Sequence, residues 1–193
     1  MKTIGFYGNS CTGKTSGMYA IASLLAAKGI AFRIQNMPYD NSGHVKNLKP
    51  FAADLLEETV EARIHFIMDH IASQTALAAS GFKGFLLSEM TVTDLHYMYL
   101  WVCKLKFQTP SASICNLVYE WMKTYDTIFA MSDLGEYIQD GSRMASRDLK
   151  DGLSVFYTTI PFLSSVVKIT TEDRELRTQE VVDVFKKTYL PSA

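Results

Sequence analysis

The chain has 193 residues, 48% of them hydrophobic and 20% charged, with a formal net charge of −1. This composition is typical of a soluble globular domain with a sizeable core, and its balanced charge disfavours nucleic acid as the main partner and an anionic membrane surface. No apolar run approaches the ~20 residues that would span a bilayer.

The first predicted elements enclose a phosphate-binding motif. Residues 3–7 form a short, largely apolar run that predicts a buried strand, and residues 16–28 carry Ala, Leu, Ile and Met at helical spacing. Gly29 is expected to end that helix in the C′ position. Between the two elements, residues 8–15 read Gly-Asn-Ser-Cys-Thr-Gly-Lys-Thr and satisfy the pattern G-x-x-x-x-G-K-[ST] at every fixed position. We therefore predict that the chain binds a nucleoside triphosphate.

Each fixed residue of this motif has a physical reason. The glycines let the backbone turn tightly, so that successive N–H groups converge on phosphate oxygens. Lys14 would reach the β- and γ-phosphates, and the Thr15 hydroxyl would ligate Mg²⁺. The alternative is a glycine-rich turn that happens to precede a helix. The predicted nucleotide-contacting residues are Gly8, Asn9, Ser10, Cys11, Thr12, Gly13, Lys14, Thr15 and Ser16.

Strand-like and helix-like segments alternate to the end of the chain, which predicts an α/β fold with a mainly parallel sheet. Neither an internal repeat nor a linker is visible, so residues 1–193 are predicted to form one domain. Further strands are expected at residues 31–35, 85–87, 127–131 and 166–170, and further helices at 54–79, 95–107, 113–123, 149–159 and from about 177 to 189. Polar loops are expected at 36–50 and 132–151, and a charged loop at 171–177.

Two carboxylates follow the third predicted strand, in residues 88–94 (Ser-Glu-Met-Thr-Val-Thr-Asp). Ligands of open α/β sheets gather at the carboxyl ends of the strands, near the switch point in strand order. A carboxylate there can enter the Mg²⁺ shell or accept a proton from an attacking hydroxyl. Glu89 is the better placed candidate, unless it is an exposed loop carboxylate. Asp94 either contacts the substrate or caps the following helix.

Two arginines, Arg143 and Arg147, lie four residues apart and share a face if their segment is helical. Arginines on a closing segment would stabilise the charge of a transferring phosphoryl group and exclude water. One interpretation is therefore a lid over approximately residues 133–151 with both arginines catalytic, and the other is a solvated charged turn. Loop 171–177, if it lay beside the motif strand, would place its backbone against an adenine ring. A charged surface loop is the alternative.

On the substrate side, three residues lie where an acceptor could sit opposite the phosphate loop: Tyr39, in a polar loop, and Arg63 and Phe66, on one helix face. Arg63 interrupts an otherwise apolar neighbourhood, which suits recognition of a phosphate or a base edge. The alternative is that its side chain extends along the surface into solvent.

Cysteine and histidine spacing indicates no metal site. The three cysteines are odd in number and lack C-x-x-C spacing, and His65, His70 and His96 show no ligand pattern. Reduced thiols, together with an N-terminus that leads directly into the first strand and leaves no room for a signal peptide, predict a cytoplasmic protein. The helix that carries Tyr97 and Tyr99 lines either the core or a subunit interface, which leaves a homodimer open.

Taken in order, these pieces resemble the P-loop kinases of the nucleoside and nucleotide kinase superfamily, with the closest likeness to the NadR-like ATPase/kinase group and to small phage-encoded deoxynucleotide kinases. The resemblance rests on residues 8–15, on Glu89-Met90-Thr91 followed by Asp94, and on residues 140–143 (Asp-Gly-Ser-Arg). The second block is similar to the family's Asp-Arg-Ser followed shortly by a second Asp, and the third to its Asp-Gly-x-Arg at the start of the lid. The resemblance implies a three-layer α/β/α fold with a five-stranded parallel sheet of order 2-3-1-4-5, ATP and Mg²⁺ as donor, and a nucleoside-type acceptor.

Met90 departs from the family pattern, because it stands where an arginine usually helps to hold the acceptor or the phosphates. Methionine cannot make that charged contact. Either Arg63 or Arg143 takes over the role, or the acceptor differs from the usual one. The function favoured by the sequence is an ATP-dependent kinase that transfers the γ-phosphoryl group to a nucleoside monophosphate or nucleoside. The alternatives are a P-loop ATPase, a nucleotide-binding protein without an acceptor, and a ribosylnicotinamide-type kinase.

Overall fold

A computed structural model describes residues 1–8, 12–35, 59–134 and 165–190. In these ranges strands and helices largely alternate, as the sequence predicts, with two successive helices between the third and fourth strands. The strands are β1 (Lys2–Tyr7), β2 (Phe32–Gln35), β3 (Phe85–Ser88), β4 (Thr127–Met131) and β5 (Val166–Ile169). The helices are α1 (Lys14–Ala27), α2 (Val60–Ala79), α3 (Val92–Leu105), α4 (Ala112–Met122) and α5 (Arg174–Tyr189).

The strands form one five-stranded sheet in the order β2-β3-β1-β4-β5. Every pairing between neighbours is parallel, so the predicted sheet and its order are confirmed. Since all strands run the same way, their carboxyl ends share one edge. The order reverses at β1, which lies between β3 and β4, and the open side of such a sheet at this point is the usual place for a ligand. The phosphate-loop motif follows β1 and lies there.

Helices cover both faces of the sheet, which makes the three-layer arrangement. Alternate side chains of a strand point to opposite faces. Ile4 and Phe6 of β1 therefore pack with α1 and α5, whereas Tyr7 joins the second apolar cluster, with α2, α3 and α4. β1 beyond its first residue and all of β4 are buried, as expected for parallel strands covered on two sides, while the edge strands β2 and β5 are half-buried.

Most element boundaries agree with the sequence pattern, and three helix starts need correction. α2 begins at Val60 rather than at residue 54, because Thr59 is its N-cap, with an extended backbone and a side chain that accepts the Ala62 N–H. α3 begins at Val92 rather than at residue 95, and α5 begins at Arg174, so residues 174–177 are a helical turn and not a loop. The reason is Asp173, whose carboxylate accepts the N–H groups of Glu175 and Leu176 at 2.9 Å each and so caps α5. β5 is also separated from β1 by β4, so the segment after β5 does not lie beside the motif strand.

Several predicted features fall outside the described residues. They are residues 54–58, the predicted helix at 149–159, and the predicted lid at 133–151 apart from its first two residues. Gly29 is confirmed at the end of α1, with a φ of +66°. Tyr97 and Tyr99 are buried within the chain and so line its core. None of the described helices combines the length and the hydropathy that crossing a bilayer requires.

Candidate functional site

The backbone at the ends of the phosphate loop has a conformation that favours glycine. Gly8 has a φ of +148° and Gly13 a φ of +90°, values at which a Cβ is strained. At Gly8 a Cβ would also lie 2.7 Å from the carbonyl oxygen of Met131, at the end of β4. The first glycine is therefore required both for the turn and for the close approach of the neighbouring strand. Asn9, Ser10 and Cys11 lie outside the described residues.

Gly13 leads directly into α1, as its N-cap residue. The first N–H groups of a helix have no partner within it and carry a partial positive charge, which suits a phosphate. No acidic side chain occupies the first turn of α1 to compete for these groups. Thr15 and Ser16 are exposed in this turn, and Lys14 is half-buried.

Lys14 bends back across the loop, where its Nζ donates to the carbonyl oxygen of Gly8. Its positive charge also acts on the nearby Asp94 carboxylate, whose pKa it lowers. Hydrogen bonds between ionised partners are stronger than those of an ammonium with a neutral carbonyl. A phosphate in the loop would therefore compete effectively for the Lys14 ammonium.

Thr15 and Glu89, the two predicted Mg²⁺ ligands, lie in contact. The Thr15 Oγ1 donates to Glu89 Oε1 at 2.6 Å, and the Glu89 N–H donates to the Gln35 carbonyl at 3.0 Å, which anchors it to the end of β2. Adjacent ligands of an octahedral Mg²⁺ lie about 2.9 Å apart, so these two oxygens fit such an ion after a small separation. No group of three or more His, Cys, Asp or Glu side chains is placed to hold a metal within the described part of the chain. A nucleotide-bound Mg²⁺ does not need one, because phosphate oxygens and waters supply the other ligands.

Asp94 caps α3 and also holds the start of the phosphate loop. Its Oδ2 accepts the N–H and the hydroxyl of Thr91, both at 2.7 Å, and its Oδ1 accepts the N–H of Gly8 at 3.3 Å. The side chain is fully buried. Burial raises the pKa of Asp94, while Lys14 and these hydrogen bonds oppose the rise. The sequence left two roles open for Asp94, a substrate contact and a helix cap, and the structure shows the helix cap.

Arg177 is a part of this site that the sequence analysis missed. It is 1% exposed, and its guanidinium donates to the carbonyl oxygens of Thr12, Ser132 and Thr171 at 2.9, 2.7 and 2.6 Å. A further bond joins it to the Ser132 hydroxyl at 2.9 Å. A signal was present, because the buried residues of α5 are Arg177, Val181 and Phe185, at a spacing of four. That spacing places Arg177 on the apolar face of the helix.

On the predicted acceptor side, Arg63 and Phe66 lie on the buried face of α2. Arg63 is 1% exposed, so its side chain does not extend into solvent. Its Nη1 lies 3.3 Å from the Met98 sulfur, and its guanidinium lies over the Phe66 ring at 5.4 Å from the centroid. Tyr39, Arg143 and Arg147 lie outside the described residues.

A buried hydrogen-bond network joins α2 to the sheet below this region. The Gln74 Nε2 lies 2.8 Å from Gln35 Oε1, 3.0 Å from the Tyr125 hydroxyl and 3.1 Å from His70 Nε2. The Ser88 hydroxyl lies 3.2 Å from Gln35 Oε1. Gln35 and Ser88 are the last residues of β2 and β3, so the network reaches the same edge as Glu89. Burial lowers the pKa of His70 to about 4, which keeps its ring neutral.

Two further buried residues define the start of α3. Met90 is a core residue on the face of the sheet that α2, α3 and α4 cover. Thr93, in the first turn of α3, is 4% exposed, and its hydroxyl lacks a hydrogen-bond partner. Among the buried side chains that the structure describes, it is the one in this state. Such a group is rare in a folded protein, because an unmet hydrogen bond costs free energy.

A scan against protein-family models gave no match, and a search of curated protein sequences gave no significant match.

Proposed function

We propose that this protein is an ATP-dependent phosphotransferase that acts on a small nucleoside or nucleoside monophosphate. One observation carries the proposal. The complete phosphate-loop motif follows the central strand of a parallel sheet of order 2-3-1-4-5, and at that edge of the sheet Thr15 Oγ1 lies 2.6 Å from Glu89 Oε1. The motif supplies a cradle for phosphates, and the pair supplies two oxygen ligands for Mg²⁺. The expected location is the cytoplasm.

In this proposal the residues of the loop hold the donor. Backbone N–H groups of the loop after Gly8, up to the start of α1, bind the phosphate chain, and the Lys14 ammonium neutralises charge on the β- and γ-phosphates. When bound, Mg²⁺ would draw negative charge from the same phosphates. Thr15 and Glu89 hold their oxygens where such an ion would lie.

The role of Glu89 depends on the acceptor. With a nucleoside, a carboxylate oxygen of Glu89 would accept the proton of the attacking hydroxyl. With a monophosphate the attacking oxygen is already ionised, so Glu89 would serve the metal alone. Arg143 and Arg147 are proposed to stabilise the transferring group, and Tyr39, Arg63 and Phe66 to lie toward the acceptor.

A second candidate is a P-loop ATPase or a nucleotide-binding protein without an acceptor. Met90 favours it, because the residue in the position of the family arginine is packed into the core. Arg63, one of the proposed substitutes, is buried against Met98 and Phe66 and is not presented to solvent.

A turnover panel separates the two candidates. ATP and Mg²⁺ are incubated with each common nucleoside, each nucleoside monophosphate and ribosylnicotinamide, and ADP release is compared with a reaction that lacks an acceptor. A kinase is expected to release ADP only with one acceptor class and to phosphorylate it in equal amount. Strong ATP loss without any acceptor would replace the kinase by the ATPase.

A further inference from the structure

One guanidinium joins three segments at the carboxyl edge of the sheet. Arg177 bonds to Thr12 in the phosphate loop, to Ser132 directly after β4, and to Thr171 after β5. We call this set of four hydrogen bonds the Arg177 clamp. All four acceptors belong to segments that follow strands, where a bound donor would lie. α5, which carries Arg177, is thus connected to each of them.

The clamp fixes the orientation of the peptide between Thr12 and Gly13. The described chain has no cis peptide bond, and in a trans peptide the C=O and the N–H point to opposite sides. The Thr12 carbonyl faces Arg177 at 2.9 Å, so the Gly13 N–H points away from the guanidinium. That N–H belongs to the motif whose amides converge on phosphate. A cation on the carbonyl also polarises the peptide, which makes its N–H a better donor to an anion.

Loss of any of these four hydrogen bonds would also raise the free energy of the folded state. Arg177 stays charged, because the guanidinium is protonated at all ordinary pH values. A buried cation without hydrogen bonds is strongly unfavourable, so the carbonyls must remain turned toward it. The arrangement therefore resists rotation of the Thr12–Gly13 peptide and prepares the loop before a nucleotide arrives.

We propose that Arg177 is a positioning residue for the triphosphate: it orients the Thr12–Gly13 peptide so that the Gly13 N–H faces the phosphate chain. The inference rests on the proposed binding of a nucleoside triphosphate. It assigns Arg177 to the phosphate side of the donor and not to its base side. Loss of a residue that only supports the fold would not be expected to affect the phosphate side of the donor selectively.

Two ligands separate the phosphate side from the base side. The dissociation constants of ATP and of inorganic tripolyphosphate, each with Mg²⁺, are measured by calorimetry for the wild type and for Arg177→Met. Both ligands are expected to bind about tenfold to a hundredfold more weakly to the variant, and by the same factor, since both use the same amides. The control is Lys187→Met, which removes an exposed cation from the same helix and is expected to leave both constants unchanged.

Two results of this measurement would overturn the proposal. Weaker ATP binding with unchanged tripolyphosphate binding would overturn the proposal and assign Arg177 to the base side, and unchanged binding of both ligands would also overturn it. Arg177→Lys covers the case in which Arg177→Met does not fold, because lysine keeps the charge but cannot reach all four acceptors. Arg177→Lys is expected to raise the dissociation constants of both ligands by the same factor, which is smaller than the factor for Arg177→Met. Unchanged dissociation constants would refute the inference. A wild type that binds neither ligand would instead refute the proposed function itself.

Discussion

The proposed donor side of this site, around the phosphate loop, and the proposed acceptor side, around α2, use their polar residues in different ways. On the donor side, Thr15 is exposed, and Lys14 and Glu89 are half-buried, so their polar atoms are within reach of a ligand. On the acceptor side, His70 and Gln74 are buried and bond to each other and to the sheet. Polar residues near the carboxyl ends of the strands are therefore not all accessible to a substrate. Those of α2 attach the helix to the sheet.

The two sides also differ in what stabilises them. The proposed donor loop is contacted by two buried side chains, Arg177 and Asp94, each of which bonds to its backbone. The α2 network is neutral and connects side chains. Buried networks of this kind are stable only when every member has a partner. Gly8 and Thr12, on either side of residues 9–11, are therefore held by bonds from their backbone to buried side chains, and α2 is held by bonds between neutral side chains.

The largest effect is expected on the donor side, from Lys14→Ala. The variant loses the ammonium that would neutralise the transferring phosphate, and turnover is expected to fall by roughly a hundredfold or more. ADP release under saturating ATP and acceptor measures it. The control is Lys28→Ala, at the exposed end of the same helix. Equal turnover of wild type and Lys14→Ala would mean that residues 8–15 are not a catalytic phosphate loop.

On the acceptor side, acid is expected to destabilise the fold through His70. Its pKa is about 4 in the native state, against about 6.5 in an unfolded chain. Between these values the unfolded chain binds a proton that the native state excludes, so stability is full above about pH 6.5 and falls toward pH 4. The loss from this one group is at most about 3 kcal/mol.

Urea unfolding at pH 4.5 and pH 7.5 measures this loss, and His70→Gln is expected to remove that part of the pH dependence. The difference between variant and wild type isolates His70, because burial also lowers the pKa of His96 to about 4. His65→Gln, an exposed position on the same helix, is the control. If His70→Gln kept the whole pH dependence, His70 would be accessible to protons in the native state, and the acceptor side would be more open than the network indicates.

Much of this architecture follows from local sequence pattern. The strand before residues 8–15 and the helix that starts at Lys14 were predictable, because the motif requires a backbone at Gly8 and Gly13 that favours glycine. The meeting of Thr15 and Glu89 was predictable because parallel strands bring their carboxyl ends to one edge. The role of Asp94 was not, since a carboxylate at the start of a helix serves equally as a cap or a ligand.

Arg177 shows where such reasoning stops. One of its partners, Thr12, is 165 residues away along the chain, and no local pattern encodes that contact. Arg63 shows the same limit, because its guanidinium lies against the Met98 sulfur of α3, 35 residues away along the chain, as well as over the Phe66 ring of its own helix. Burial of a charged side chain is a property of the tertiary structure, and its partners appear only when the sheet is assembled.

A smaller effect is expected from Glu89→Gln, which keeps the shape of the side chain and removes its charge. The Mg²⁺ concentration needed for half-maximal turnover is expected to rise about tenfold, because a hard cation prefers a carboxylate to an amide. A Mg²⁺ titration at fixed ATP measures it. Glu61→Gln, exposed in the first turn of α2, should leave the titration unchanged. An unaltered requirement in Glu89→Gln would remove this residue from the metal site.

The smallest effect, and the finest test of the comparison, is expected from Thr93→Val. The substitution removes a buried hydroxyl that has no partner while keeping the volume and the helix propensity of the side chain. Stability is therefore expected to rise by about 1 kcal/mol, measured by urea unfolding. Thr91→Val is the matched control and should destabilise, because the Thr91 hydroxyl donates to Asp94. If Thr93→Val instead raised the KM for an acceptor, the hydroxyl would be a ligand contact, and the acceptor side would present at least one group in the manner of the donor side.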